Sequence, residues 1–177
     1  MTLRLRGTAL PLMIATACFI GRDGKTLFID YTNYPHPIHQ GKYSIPGGRL
    51  EEGELQEDCV RREIREETGI FLKELTYRGR VKFLNEKRTI NGNPMKNDFE
   101  VHFYDCTDFD DANARATEGR LAWIEDNKVL DLPLHEGDRI IWRDWLSRYE
   151  VFGGVIEHEG EKLTSAKLIS KIDWIKS

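Results

Sequence analysis

Apolar positions from Leu12 to Ile20 are almost unbroken, Gly21-Arg22-Asp23-Gly24 interrupts them, and a second apolar run follows from Thr26 to Tyr31. Continuous apolar runs on either side of a Gly-bounded polar break predict two buried strands joined as an antiparallel hairpin. Asn33 to Gln40 contains two prolines and the histidines His36 and His39, a pattern that excludes regular structure and predicts solvated rings near the tip of a loop, with the lining of a substrate mouth just ahead of the acidic segment as the alternative. Lys42 to Gly48 reads as a short strand entering a tight turn.

From Glu54 to Thr68 the period lengthens to that of a helix. Val60 and Ile64 form its apolar stripe, no proline or glycine interrupts it, and Glu54, Glu57 and Asp58 sit at the positive end of its dipole. Gly53 suits its N-cap and Gly69 a left-handed C-cap. Beyond it, Phe71 to Leu84 and Asp98 to Asp105 are long strand candidates separated by the polar connection Asn91 to Pro94; Val101, Phe103 and Tyr104 supply apolar side chains. Leu121 to Glu125 reads as a short strand and Asp126 to Leu130 as a helical turn. Ile140, Ile141, Trp145 and Leu146 then recur at helical spacing between Glu136 and Arg148. Val151 to Glu157 and Lys162 to Thr164 predict a last hairpin, and Leu168, Ile172 and Ile175 a short terminal helix. This order of elements predicts an α/β protein with a mixed sheet and a helix on each face.

At 177 residues, 40% of them hydrophobic, the chain has the length of one domain, with its core at about 12–164 and an extension at 165–177. Twenty-six basic against 30 acidic residues leave a net charge of −4, which argues against duplex nucleic acid as a partner. Cys18, Cys59 and Cys106 are odd in number and lack metal-ligand spacing, as expected of buried thiols in a cytoplasmic protein. Arg4 and Arg6 ahead of the run ending at Ile20 imitate a secretory signal, but cleavage there would delete the first strand. The run is also too short to span a bilayer.

The predicted helix raises a chemical question. Residues three and four apart share a face, so Glu63, Glu66 and Glu67 crowd their carboxylates together and destabilise a bare helix. A divalent cation converts the same repulsion into a ligand set, and hard oxygen donors suit Mg²⁺ or Mn²⁺.

Gly48, Glu54 and the run Arg62-Glu63-Ile64-Arg65-Glu66-Glu67-Thr68-Gly69-Ile70 resemble a complete Nudix box, with Gly48 and Glu54 at the box's spacing. The resemblance implies the Nudix α/β/α sandwich with a mixed central sheet and hydrolysis of a nucleoside diphosphate linked to another group. It also implies metal held by Glu63, Glu66, Glu67 and the Gly48 carbonyl, with Arg62 and Glu54 orienting the ligands. Arg61 and Arg65 are expected to face solvent. Glu118, five residues before Trp123, resembles the loop glutamate that MutT-type members contribute as an extra ligand or base. The downstream run Leu132 to Arg139 resembles the MutT-type 8-oxo-dGTP diphosphatases, in which an acid reads the purine edge. That makes Glu136 and Asp138 candidate base readers. His135 stands where that branch has tryptophan, and Ser44 where purine-specific members have asparagine; both are candidate base contacts. The implied activity is that of a nucleoside triphosphate pyrophosphohydrolase acting on oxidised purines. Other diphosphate-linked substrates are the alternative, followed by a non-catalytic nucleotide sensor.

Overall fold

The apolar run after Leu12 becomes the spine of the sheet. In the computed structural model, which describes residues 12–85, 88–90, 93–95, 98–146, 151–160 and 162–170, it forms β1 (Met13–Arg22), followed by β2 (Lys25–Asp30), β3 (Tyr43–Ser44) and β4 (Gly47–Arg49). Helix α1 (Gln56–Thr68) leads to β5 (Phe71–Leu72), β6 (Thr76–Asn85), β7 (Arg88–Ile90), β8 (Asn93–Met95) and β9 (Phe99–Cys106). Next come β10 (Phe109–Asp110), β11 (Arg120–Glu125), a 3-10 turn over Asp126–Asp131, α2 (Glu136–Leu146), β12 (Phe152–Glu159) and β13 (Lys162–Ser170).

The main sheet has the order β11-β2-β1-β9-β6-β12-β13, with β3 added to β2 and β4 to β1. β1 runs parallel to β9 and β6 parallel to β12, while the remaining pairs are antiparallel, so the sheet is mixed as predicted. Side chains of β1 alternate between two cores. Ala17 and Phe19 join Phe28, Phe103, Phe152 and the α2 residues Ile141 and Trp142 on one face. Cys18 and Ile20 join Leu27, Tyr104, Cys106 and the α1 residues Val60 and Ile64 on the other. Each helix therefore covers one face of a sheet whose central strand is buried on both, which is the α/β/α layering. All three cysteines are buried free thiols.

Four sequence expectations need correction. Helix α1 starts at Gln56, with Leu55 rather than Gly53 at its N-cap, because Gly53 (φ 80) is spent on the turn before it. Glu54 consequently lies outside the helix. The predicted strand from Phe71 to Leu84 is divided: β5 leaves the main sheet to pair with β10, and the Arg61 guanidinium takes the carbonyls of Leu72 and Lys73 where the chain turns. Arg61 is thus a staple between helix and strand, not a solvated side chain. Residues 165–170 are strand, not helix, since the β12 edge offers them a ladder from Ser165 to Ser170 past a bulge at Glu157/His158. The rest of the predicted terminal helix, and the α2 end at 147–148, lie outside the described residues.

Candidate active site

Helix α1 ends where the sequence placed its acidic face. Gly69 adopts φ 68 and returns its N–H to the Arg65 carbonyl. The last-turn carbonyls are taken by a later loop: Arg115 N–H donates to Thr68 O at 2.8 Å and Thr117 N–H to Glu67 O at 3.0 Å. That loop delivers Glu118 next to Glu67, a placement no local pattern in the sequence could reveal.

Arg62 organises the carboxylates. Its Nε and Nη2 donate to the two oxygens of Glu54 at 2.8 and 3.0 Å, and its Nη1 to Glu63 at 3.0 Å and Glu66 at 3.3 Å. Nη2 also caps the Arg49 carbonyl at 3.0 Å. The bidentate bond to Arg62 holds the Glu54 carboxyl down to about 2. Exposed Arg65 lies instead over the Phe71 ring, 4.8 Å from its centroid.

Glu67 has the opposite environment. Burial, reinforced by the charges of Glu63, Glu118 and Glu66, pushes its carboxyl up to about 7, although the Gly47 N–H bonded to it at 3.0 Å pulls the other way. Gly48 closes the cradle: a Cβ there would sit 2.2 Å from the Glu63 carboxyl carbon. Only bare backbone brings the Gly48 peptide this close to that carboxylate. Beneath it, the buried Cys59 thiol and Thr16 hydroxyl lie 3.3 Å apart.

This donor set fits a hard divalent cation in its chemistry: carboxylates from Glu63, Glu66, Glu67 and Glu118 beside a peptide carbonyl. They are not yet converged, and among the described residues no three His, Cys, Asp or Glu side chains are gathered as a metal would need. Arg62 engages Glu63 and Glu66, while Glu67 is turned to the Gly47 amide.

Of the four candidate base contacts, Ser44, His135 and Asp138 lie along a second pair of segments. Tyr43 N–H donates to Pro133 O at 3.1 Å, which lays the segment carrying His135 and Asp138 beside β3 and Ser44. The Ser44 hydroxyl donates to its neighbour's carbonyl, Ile45 O, at 3.3 Å. Burial pushes the Asp138 carboxyl up to about 6 against the opposing charge of Lys42. Glu136 is directed elsewhere, accepting the Leu163 N–H of β13 at 3.1 Å.

The loop histidines are not the solvated rings the sequence suggested. Both are half-buried; His36 and His39 stack at 4.7 Å, and Tyr31 packs against them at 4.8 and 5.3 Å. His39 Nδ1 meets His135 Nε2 at 3.1 Å, and His36 Nε2 approaches Glu118 at 3.6 Å. Their position just before the acidic motif was the one sequence signal for this role.

The family profile described as the NUDIX domain matches residues 11–146. The chain belongs to the Nudix family. It is accordingly a hydrolase of phosphoanhydride bonds, and its fold is that of Nudix proteins. A solved MutT protein from Bacillus halodurans superposes with a TM-score of 0.74 at 25% identity, covering 89% of this chain and 97% of that one. The Nudix hydrolase YvcI of Bacillus subtilis (strain 168), itself uncharacterized, is 28% identical over 72% of this chain and 75% of its own length. The oxidized purine nucleoside triphosphate hydrolase of Danio rerio is 23% identical over 75% of this chain and 80% of its own. No described helix of this Nudix protein is long and apolar enough to cross a membrane.

Proposed function

We propose that this Nudix hydrolase converts purine nucleoside triphosphates, oxidised ones such as 8-oxo-dGTP among them, to the monophosphate and pyrophosphate. The observation that carries the reading is the juxtaposition of Ser44, three residues ahead of the Gly47 amide that bonds Glu67, with the segment bearing His135 and Asp138. Asp138 is held at a raised pKa and offers either an acceptor or, protonated, a donor to a purine edge. A base that leaves such a half-buried group unpaired is disfavoured. The Danio rerio relative acts, by its description, on oxidised purine nucleoside triphosphates, which favours the same class.

Glu63, Glu66 and Glu67, with the Gly48 carbonyl and Glu118, are the groups that would hold Mg²⁺ or Mn²⁺. When bound, the cation neutralises phosphoryl oxygens and acidifies a water. The protein's own residues then have separable tasks. Arg62, clamped by Glu54, fixes the rotamers of Glu63 and Glu66. One carboxylate of the set, or Glu118, accepts the water's proton. Ser44, His135 and Asp138 orient the base, so that the phosphates meet the helix face in one register.

A nucleotide panel assayed by pyrophosphate release tests the substrate. Glu66→Gln and Glu67→Gln should each lower turnover about a hundredfold or more with Mg²⁺ present. Undiminished turnover in both variants removes the metal-carboxylate reading. Preference for a nucleotide sugar or another diphosphate removes the purine reading alone.

A further inference from the structure

The loop between β2 and β3 carries His36, a residue outside the acidic motif. Its Nδ1 accepts two backbone N–H groups, from Ile38 at 3.1 Å and His39 at 2.9 Å. A nitrogen facing two donors has no room for a proton, so the ring hydrogen is placed on Nε2. That nitrogen is the one that faces Glu118, 3.6 Å from Oε2. The ring cannot swing away freely, because Tyr31 and His39 pack against it at centroid distances of 4.8 and 4.7 Å.

We infer that His36 is a positioning residue for the reaction: its Nε2–H, fixed in tautomer and direction by the loop backbone, orients the Glu118 carboxylate toward the α1 glutamates. Glu118 is half-exposed, with 53% of its side chain accessible, and sits on a loop. Tyr31 feels the charges of both Glu67 and Glu118, which places the two carboxylates around the same ring. An exposed loop glutamate samples several rotamers, and a donor held from the opposite side selects one. At 3.6 Å the pair lies beyond hydrogen-bond length, and catalytic contacts that are long without substrate commonly tighten when it binds. The inference rests on the proposed role of Glu118.

The two nitrogens of His36 allow its structural and positioning roles to be separated. His36→Asn keeps an acceptor at the δ position for the Ile38 and His39 amides but has no donor at ε. His36→Gln keeps a donor at ε and gives up the loop acceptor. With the substrate that the nucleotide panel selects, His36→Asn should lower kcat about tenfold, the worth of one charge-assisted hydrogen bond, while KM stays within about twofold and Tm is unchanged. His36→Gln should retain more turnover than His36→Asn despite a lower Tm. In a Glu118→Gln background, His36→Asn should cause no further loss of kcat. If Glu118→Gln is impaired but His36→Asn turns over at the wild-type rate, or if the two losses multiply, the positioning role is overturned. If Glu118→Gln itself has wild-type kcat, the assignment of Glu118 fails first and takes the inference with it.

Discussion

Replacing Gly48 by alanine separates the site from the fold. The new Cβ lies 2.2 Å from both Cδ and Oε2 of Glu63 and 2.5 Å from Oε1. Carbon atoms pack comfortably at about 3.5 Å, so the carboxylate must retreat by roughly 1 Å or more. It can do so, because it is the far end of a flexible side chain. The folding cost is then the weakened Glu63–Arg62 pair, about 1 kcal/mol for a partly buried ion pair that is weakened but not broken, or about 3 °C in Tm for a chain of this size. The cost to catalysis is larger, since a displacement of about 1 Å in a reacting constellation is worth about a hundredfold.

Gly47→Ala supplies the contrast. Its Cβ would lie 2.1 Å from the Thr16 carbonyl oxygen and 2.7 Å from the Ala17 Cα, both in the backbone of β1. A central strand cannot yield as a side chain does. Gly47→Ala should therefore fail to fold or melt far below wild type, whereas Gly48→Ala melts near it and loses about a hundredfold in pyrophosphate release. Thermal melts alongside initial rates at saturating Mg²⁺ distinguish the two. Gly48→Ala with turnover within threefold of wild type would refute the claim that Glu63 works from this cradle.

Two further outcomes follow from the titrating groups. Burial raises Glu67 to about 7, Asp105 to about 6 and Asp138 to about 6, all above their unfolded values near 4, so the folded chain binds protons more tightly than the unfolded chain. Their contribution to stability is fully present below about pH 4 and is lost as pH rises through about 7. Melts in chelator should show that declining component between pH 5 and 7.5, reduced in Glu67→Gln; an unchanged slope in that variant would contradict the assignment. Asp138→Asn should raise KM for the preferred purine triphosphate about tenfold or more with little change in kcat, and steady-state kinetics against a pyrimidine triphosphate will show whether the effect is specific to the base.

What the sequence made legible was what lies within one element. The hairpin of β1 and β2, the acidic face of α1 and the Gly69 cap are local patterns, and each formed close to its predicted bounds. The helix start shifted because Gly53 was equally suited to a turn, and the turn won. Residues 165–170 were misread because Leu168, Ile172 and Ile175 have helical spacing, whereas the open edge of β12 could be satisfied only by a strand. Glu118 could be named by likeness, but its approach to Glu67 depends on Thr117 and Arg115 capping a helix some 50 positions earlier. The contacts of His36 and His39 were not legible for the same reason: their partners, Glu118 and His135, are distant in the chain.

The pairing of Arg62 with Glu54 explains how a cationic side chain can share a face with the proposed cation ligands without replacing the cation. Left alone, a guanidinium beside Glu63 and Glu66 would form its bidentate bond with one of them and neutralise it. Glu54 takes that bond instead, through Nε and Nη2, and its depressed pKa shows how strongly it holds the positive charge. Only Nη1 remains for Glu63 and Glu66, enough to orient two carboxylates and too little to neutralise both. The uncompensated negative charge of Glu63 and Glu66 then adds to burial, the larger cause, in raising the pKa of Glu67. By this logic the exposed turn before α1, where Glu54 stands, sets the electrostatic balance of the helix face two turns away.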